Sequence, residues 1–63
     1  MNVGGRIKEK REAQAMTQEA LAEAVQVTRS MICQIERGSK MPSVTLAYEI
    51  AEALGCKLDD FIN

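Results

Sequence analysis

Two threonines, Thr17 and Thr28, each stand directly before a run of helix-forming residues. Threonine is a favoured N-cap because its side-chain oxygen accepts a hydrogen bond from a free backbone N–H of the first helical turn. The two caps predict one helix over residues 18–25 and another that ends at Gly38, with only Gln26 and Val27 between them. A connection this short makes the two helices cross at a large angle, which leaves the second one on the surface with one face free.

The rest of the chain carries helix signals and almost no strand signals. A first helix is predicted over residues 3–14, where Val3 and Ile7 lie one turn apart. A fourth helix opens at Ser43 and ends before Gly55, and a last turn covers residues 59–62. The inward positions predicted for the fourth helix are Leu46, Ala47, Ile50, Ala51 and Leu54. The predicted fold class is therefore all-α, a compact bundle of five short helices that forms a single domain over residues 1–63.

Composition excludes several classes of function. A chain of 63 residues supports one small core. It has no histidine and two cysteines, so a cysteine–histidine metal site is not expected, and a serine or cysteine nucleophile would lack its usual base. No glycine-rich phosphate loop, signal peptide or membrane-spanning apolar run is present in the sequence. We expect a cytoplasmic protein that is not an enzyme and that uses no cofactor, metal or small-molecule effector.

The distribution of charge is more informative than its total of −1. A negative total argues against a nucleic-acid partner, because such domains are usually basic. However, positive side chains dominate residues 1–11 and 26–41, whereas negative ones dominate residues 12–25 and 42–63. The chain is therefore expected to have one basic face and one acidic face.

The helix that follows Thr28 separates apolar from polar side chains. On a helical wheel its isoleucines and Met31 fall on one side. The opposite side carries Arg29, Ser30, Cys33, Gln34 and Arg37. An α-helix fits the major groove of DNA, where arginine bridges two acceptors of guanine and glutamine bridges the donor and acceptor of adenine. This arc therefore predicts base reading by a surface helix.

The segment from Gln18 to Gly38 resembles the helix-turn-helix of the lambda-repressor-like, Cro/repressor (XRE) family. The residues that carry the resemblance are Gln18-x-x-Leu21-Ala22-x-x-Val25-x-Val27-Thr28-Arg29-Ser30-x-Ile32-x-x-Ile35-Glu36-Arg37-Gly38. Comparable residues before and after this segment extend the resemblance over nearly the whole chain. The resemblance implies a five-helix bundle that controls transcription as a homodimer on a palindromic double-stranded DNA operator.

The resemblance also implies roles for individual residues. The expected base readers are Arg29, Ser30 and Gln34. The expected phosphate contacts are Gln18, Arg37, Lys40 and Ser43, and Arg11 and Glu36 are expected to form a structural ion pair. Ala15 and Gln26 stand where the family usually has glycine. If both adopt left-handed backbone angles, each costs on the order of 1 kcal/mol.

Self-association is expected at the C-terminal part of the chain, because its large apolar groups exceed what so small a core hides. The expected dimer contacts are Tyr48, Leu58, Phe61 and Ile62, and Val44 is expected to lie in the same surface. Met41, in the loop before the fourth helix, is expected to seal the edge of the core instead. Two recognition helices about 34 Å apart would match one turn of DNA.

A second class of function stays open at this point. The same fold can act as a protein-interaction module, an antitoxin-like or antirepressor-like subunit that uses the face from Arg29 to Arg37 on an acidic protein. The net charge of −1 favours this alternative. The two classes differ in whether binding falls steeply with salt and depends on base sequence.

Overall fold

The computed structural model describes residues 2–62, and in this range it contains five α-helices and no β-strand. The helices are α1 (Val3–Ala13), α2 (Gln18–Ala24), α3 (Arg29–Arg37), α4 (Val44–Ala53) and α5 (Asp59–Ile62). The all-α prediction is confirmed, and α1 and α2 each end one residue earlier than predicted. Within the described range, no helix combines the length and the apolar character that crossing a membrane requires.

Side-chain caps set where α2, α3 and α4 begin. In each case a hydroxyl oxygen accepts the N–H of the third residue after it, which satisfies a donor that the first helical turn leaves free. These bonds run from Ala20 to Thr17 at 3.0 Å, from Met31 to Thr28 at 3.1 Å and from Leu46 to Ser43 at 3.1 Å. Gly38 ends α3 with a left-handed φ of 86°. The predicted caps therefore fix the bounds of the helix-turn-helix.

The core draws on all five helices. Its fully buried large side chains are Ile7, Leu21, Ile32, Ile35, Ile50, Leu54 and Phe61. The prediction that Phe61 lies at a dimer surface is wrong: α5 packs against α1, and this turns the Phe61 ring inward until none of it is exposed. The prediction for Met41 is also wrong, because 71% of its surface is exposed.

The backbones of α1 and α3 approach very closely at Gly4. A Cβ atom built on Gly4 would lie 2.0 Å from the carbonyl oxygen of Ile35. Only a residue without a side chain fits this contact, because the obstacle is backbone that does not move aside. The contact holds α3 at a fixed position on α1, although nothing in the local sequence predicted it.

Two non-glycine residues adopt left-handed backbone angles. Ala15, after α1, has a φ of 55°, and Gln26, between α2 and α3, has a φ of 60°. Both side chains are exposed. These are the positions where the resemblance implied glycine, so the chain makes the family's two sharp turns with residues that disfavour them.

Candidate nucleic-acid interface

The outward side of α3 gathers the predicted base-reading side chains. Ile32 and Ile35 point into the core with 0% and 1% of their surface exposed. The opposite side, called here the exposed face of α3, consists of Arg29, Ser30, Gln34 and Arg37, all of them exposed. Cys33 lies half-buried among them. The helix therefore presents a continuous set of hydrogen-bond donors and acceptors to solvent.

The segment after α3 folds back onto the end of that helix. The backbone N–H groups of Ser39 and Lys40 both donate to the carbonyl oxygen of Gln34, at 3.0 and 3.3 Å. Lys40 is exposed and so extends the cationic character of the exposed face of α3. Ser43 accepts the N–H of Leu46 and keeps its own hydroxyl proton free to donate. This segment offers the groups that bind phosphate in proteins.

The predicted ion pair between Arg11 and Glu36 is present and lies in the interior. Arg11 donates from Nε to Oε2 of Glu36 at 2.7 Å and from Nη2 to Oε1 at 3.0 Å. The two side chains are only 9% and 3% exposed. The hydrogen bonds to Glu36 raise the pKa of the Arg11 guanidinium, and desolvation lowers it to a smaller extent. Arg11 also donates to the carbonyl oxygen of Met16 at 2.6 Å, so one side chain joins α1, α3 and the loop before α2.

Gln18 connects this buried pair to the exposed face of α3. Its Nε2 donates to Oε1 of Glu36 at 3.0 Å, and its Oε1 accepts from Nη1 of Arg29 at 3.2 Å. Sequence reasoning predicted Gln18 as a phosphate contact and did not foresee these bonds. One N–H of the Gln18 amide remains free for such a contact. No local pattern could reveal the link, because its four members lie on three helices.

The charges of α3 explain why a chain of net charge −1 has a cationic surface here. Arg29, Arg37 and Lys40 are exposed, whereas the carboxylate of Glu36 is buried and paired. Arg6 of α1 is directed to another helix, since its Nη1 donates to the backbone of Asp60 on α5 at 3.4 Å. The exposed cations of α3 and of the segment that follows it are therefore not offset by the carboxylate of Glu36.

An exposed apolar surface lies beside this segment. Its members, called here the apolar patch, are Met41, Val44, Tyr48 and Ile62, which are 71%, 77%, 54% and 40% exposed. A groove of about 230 Å³ adjoins it and is lined by Val3, Met41, Pro42, Val44, Ala47, Leu58 and Ile62. Of the predicted dimer contacts, Tyr48, Leu58 and Ile62 are therefore accessible to a partner. Phe61 is buried and cannot contact one.

Comparison with known proteins gives a consistent set of similarities. The HTH_3 family model, helix-turn-helix, matches residues 7–61. An uncharacterized HTH-type transcriptional regulator of Methanothermobacter thermautotrophicus is 51% identical over 49 residues, which cover 78% of this chain and 71% of the relative.

Solved structures with this fold include phage and bacterial regulators. The DNA-binding domain of the P22 c2 repressor is 29% identical with a TM-score of 0.94, and the match covers 98% of this chain and 82% of that one. The restriction-modification controller protein C.AhdI of Aeromonas hydrophila is 30% identical with a TM-score of 0.91, covering 95% and 91%. The P22 c2 repressor in complex with a synthetic operator is 30% identical with a TM-score of 0.87, covering 94% and 89%.

Proposed function

The chain belongs to the helix-turn-helix family HTH_3, and from this premise we propose that it is a transcriptional regulator that binds operator DNA through α3. The observation that carries the proposal is the exposed face of α3, where four polar or cationic side chains stand opposite two buried isoleucines. The similarity to the P22 c2 repressor, which was solved with a synthetic operator, supports DNA as the partner. On this proposal the chain is one cytoplasmic DNA-binding domain without enzymatic activity or cofactor.

The chemistry of each side chain suggests its part in the contact. Arg29 has paired donors that can bond to the two acceptors of guanine, and Gln34 has the donor and acceptor that match adenine. The hydroxyl of Ser30 can bond to either base. Phosphate contacts that set the register on the duplex are proposed for the residues around this helix. They are the free N–H of Gln18 and the side chains of Arg37, Lys40 and Ser43.

Selection of duplexes from a random pool tests the proposal. We expect one enriched half-site, with an affinity that falls steeply as salt rises. Arg29→Ala and Gln34→Ala should each relax the preference at a different base, by about 1–3 kcal/mol. Asp59→Asn, a change on the exposed surface of α5, serves as the control and should keep the parent preference. If no duplex is enriched, or if all variants share one preference, the protein-interaction module becomes the better account.

We further propose that two copies bind a palindromic operator through the apolar patch. The molecule measures 25 × 23 × 19 Å, so two copies in contact have their centres about one molecular diameter apart, which is of the same order as the spacing of about 34 Å between half-sites one DNA turn apart. Met41 replaces Phe61 in this surface, and Val44 keeps its expected place there, because these two are the most exposed large apolar side chains. Exposed groups of this kind, grouped beside a groove, are typical of a protein contact surface.

Sedimentation with and without operator tests the dimer. Val44→Asp should leave a monomer and weaken operator binding, since it would place a carboxylate in an apolar contact. Thr45→Asp adds the same charge at the next residue of α4, also exposed, and should leave the dimer intact. A dimer that persists in the Val44→Asp variant would exclude the apolar patch as the contact.

A further inference from the structure

We propose that Glu36, which is buried and cannot touch DNA, is a positioning residue for the base reader Arg29. Glu36 orients the amide of Gln18, and Gln18 in turn holds the guanidinium of Arg29. The inference rests on the proposed function. It goes beyond that function because it assigns part of the sequence preference to a side chain in the protein interior.

The carboxylate of Glu36 determines which way the Gln18 amide points. An ionised carboxylate only accepts hydrogen bonds, so Gln18 has to turn its Nε2 toward it. Its Oε1 is then left facing Nη1 of Arg29. In the opposite orientation the amide oxygen would meet the carboxylate and the amide N–H₂ would meet the guanidinium, and both contacts are repulsive. The charge of Glu36 therefore selects the orientation that attracts Arg29.

The buried end of this chain of hydrogen bonds is fixed by a two-fold contact with Arg11. Glu36 is held by two donors of Arg11, at 2.7 and 3.0 Å, and its side chain is 3% exposed. Arg29 lies at the other end on the protein surface, where an arginine without a partner samples many rotamers. The bond to Gln18 restricts those rotamers before DNA arrives, so less entropy is lost on binding.

Arg29 can be held in this way and still read a base. The bond to Gln18 uses one of the five N–H donors of the guanidinium, and four remain. The second N–H of Gln18 is also free, so the same amide can bind a phosphate while it holds Arg29. Backbone contact and base contact are thus coupled through Gln18.

The double variant Arg11→Met/Glu36→Met tests the role of Glu36 without leaving a buried charge unpaired. Replacing a buried ion pair by apolar side chains of similar size is often neutral for stability, and thermal unfolding checks this. Duplex selection is then repeated, with Arg29→Ala marking the base that Arg29 reads. We expect the preference at that base to fall roughly three- to tenfold, part of what a full bidentate contact provides. The preference at the base read by Gln34 should be unchanged.

Gln18→Met tests the same link from the surface, where folding is not at risk because Gln18 is a half-buried residue at the start of α2. It should produce the same loss at the base read by Arg29. It should add nothing when combined with Arg11→Met/Glu36→Met, because both variants break one chain of bonds. Gln34→Met is the same chemical change at a residue outside these hydrogen bonds. It should weaken the preference only at the base that Gln34 reads.

The outcomes separate this inference from the proposed function. A folded Arg11→Met/Glu36→Met variant that keeps the parent preference at the base read by Arg29 overturns the inference, and so does a loss of affinity that is equal for all duplexes. If the double variant does not fold, Gln18→Met decides in the same way. If the parent chain selects no duplex, the proposed function fails and the inference fails with it.

Discussion

The left-handed residues Ala15 and Gln26 allow a quantitative prediction about stability. A left-handed backbone costs an L-residue roughly 1–2 kcal/mol, and glycine does not bear this cost. Glycine loses more conformational entropy on folding, about 0.5–1 kcal/mol relative to alanine. Both side chains are exposed, so little packing is lost when they are removed. We therefore expect Ala15→Gly and Gln26→Gly each to stabilise the fold by about 0.5–1 kcal/mol.

Thermal unfolding followed by circular dichroism measures this effect. In a domain of this size 1 kcal/mol shifts Tm by about 4–8 °C, so each variant should raise Tm by about 2–8 °C. Ala20→Gly is the matched control, because Ala20 is exposed but lies inside α2 with helical angles. There the same change should lower stability by about 1 kcal/mol.

The reasoning is refuted if Ala15→Gly and the control Ala20→Gly change Tm in the same direction. If Ala15→Gly lowers Tm as Ala20→Gly does, the backbone at Ala15 is not strained and the reasoning from its φ of 55° fails. Urea unfolding provides a second check, since a higher midpoint with an unchanged m value shows that the substitutions raise stability and leave the surface exposed on unfolding the same.

Three further predictions follow from the core and the exposed face of α3. Gly4→Ala should destabilise the fold by about 1–3 kcal/mol in urea unfolding, because its methyl group would collide with the Ile35 carbonyl oxygen; an unchanged midpoint would mean that α1 is free to shift. Phe61→Ala should lower the free energy of unfolding by about 3–5 kcal/mol at every protein concentration, because it empties a core position. A loss that depends on protein concentration would indicate that Phe61 contacts a second copy instead. Bound operator should slow maleimide alkylation of Cys33 and leave Cys56, whose pKa is raised by burial, at its own slow rate; equal rates for Cys33 with and without operator would argue that DNA does not cover α3.

The caps and the short turn made most of the fold predictable. Thr17, Thr28 and Ser43 each bond to an N–H three residues away, so the information that starts a helix lies within one turn of sequence. The polar side of α3 could be predicted for the same reason, because helical periodicity alone puts Arg29 and Gln34 opposite the isoleucines.

The candidate site was predicted less completely. The resemblance suggested the Arg11–Glu36 pair, but it gave no sign that Gln18 bonds to Glu36 and Arg29. The placement of Phe61 at a dimer surface was wrong, since an apolar residue near the end of a chain can pack inward or lie outward with the same local pattern. Phe61 packs inward and Val44 lies outward.

Local sequence therefore determined where the helices begin and end and which side of each is polar, because those features depend on hydrogen bonds and periodicity within a few residues. Tertiary structure alone decided the contact of Gly4 with Ile35, the burial of Phe61 and the link from Glu36 to Arg29. These features join residues that are far apart in the chain, and they exist only after packing has brought the helices together.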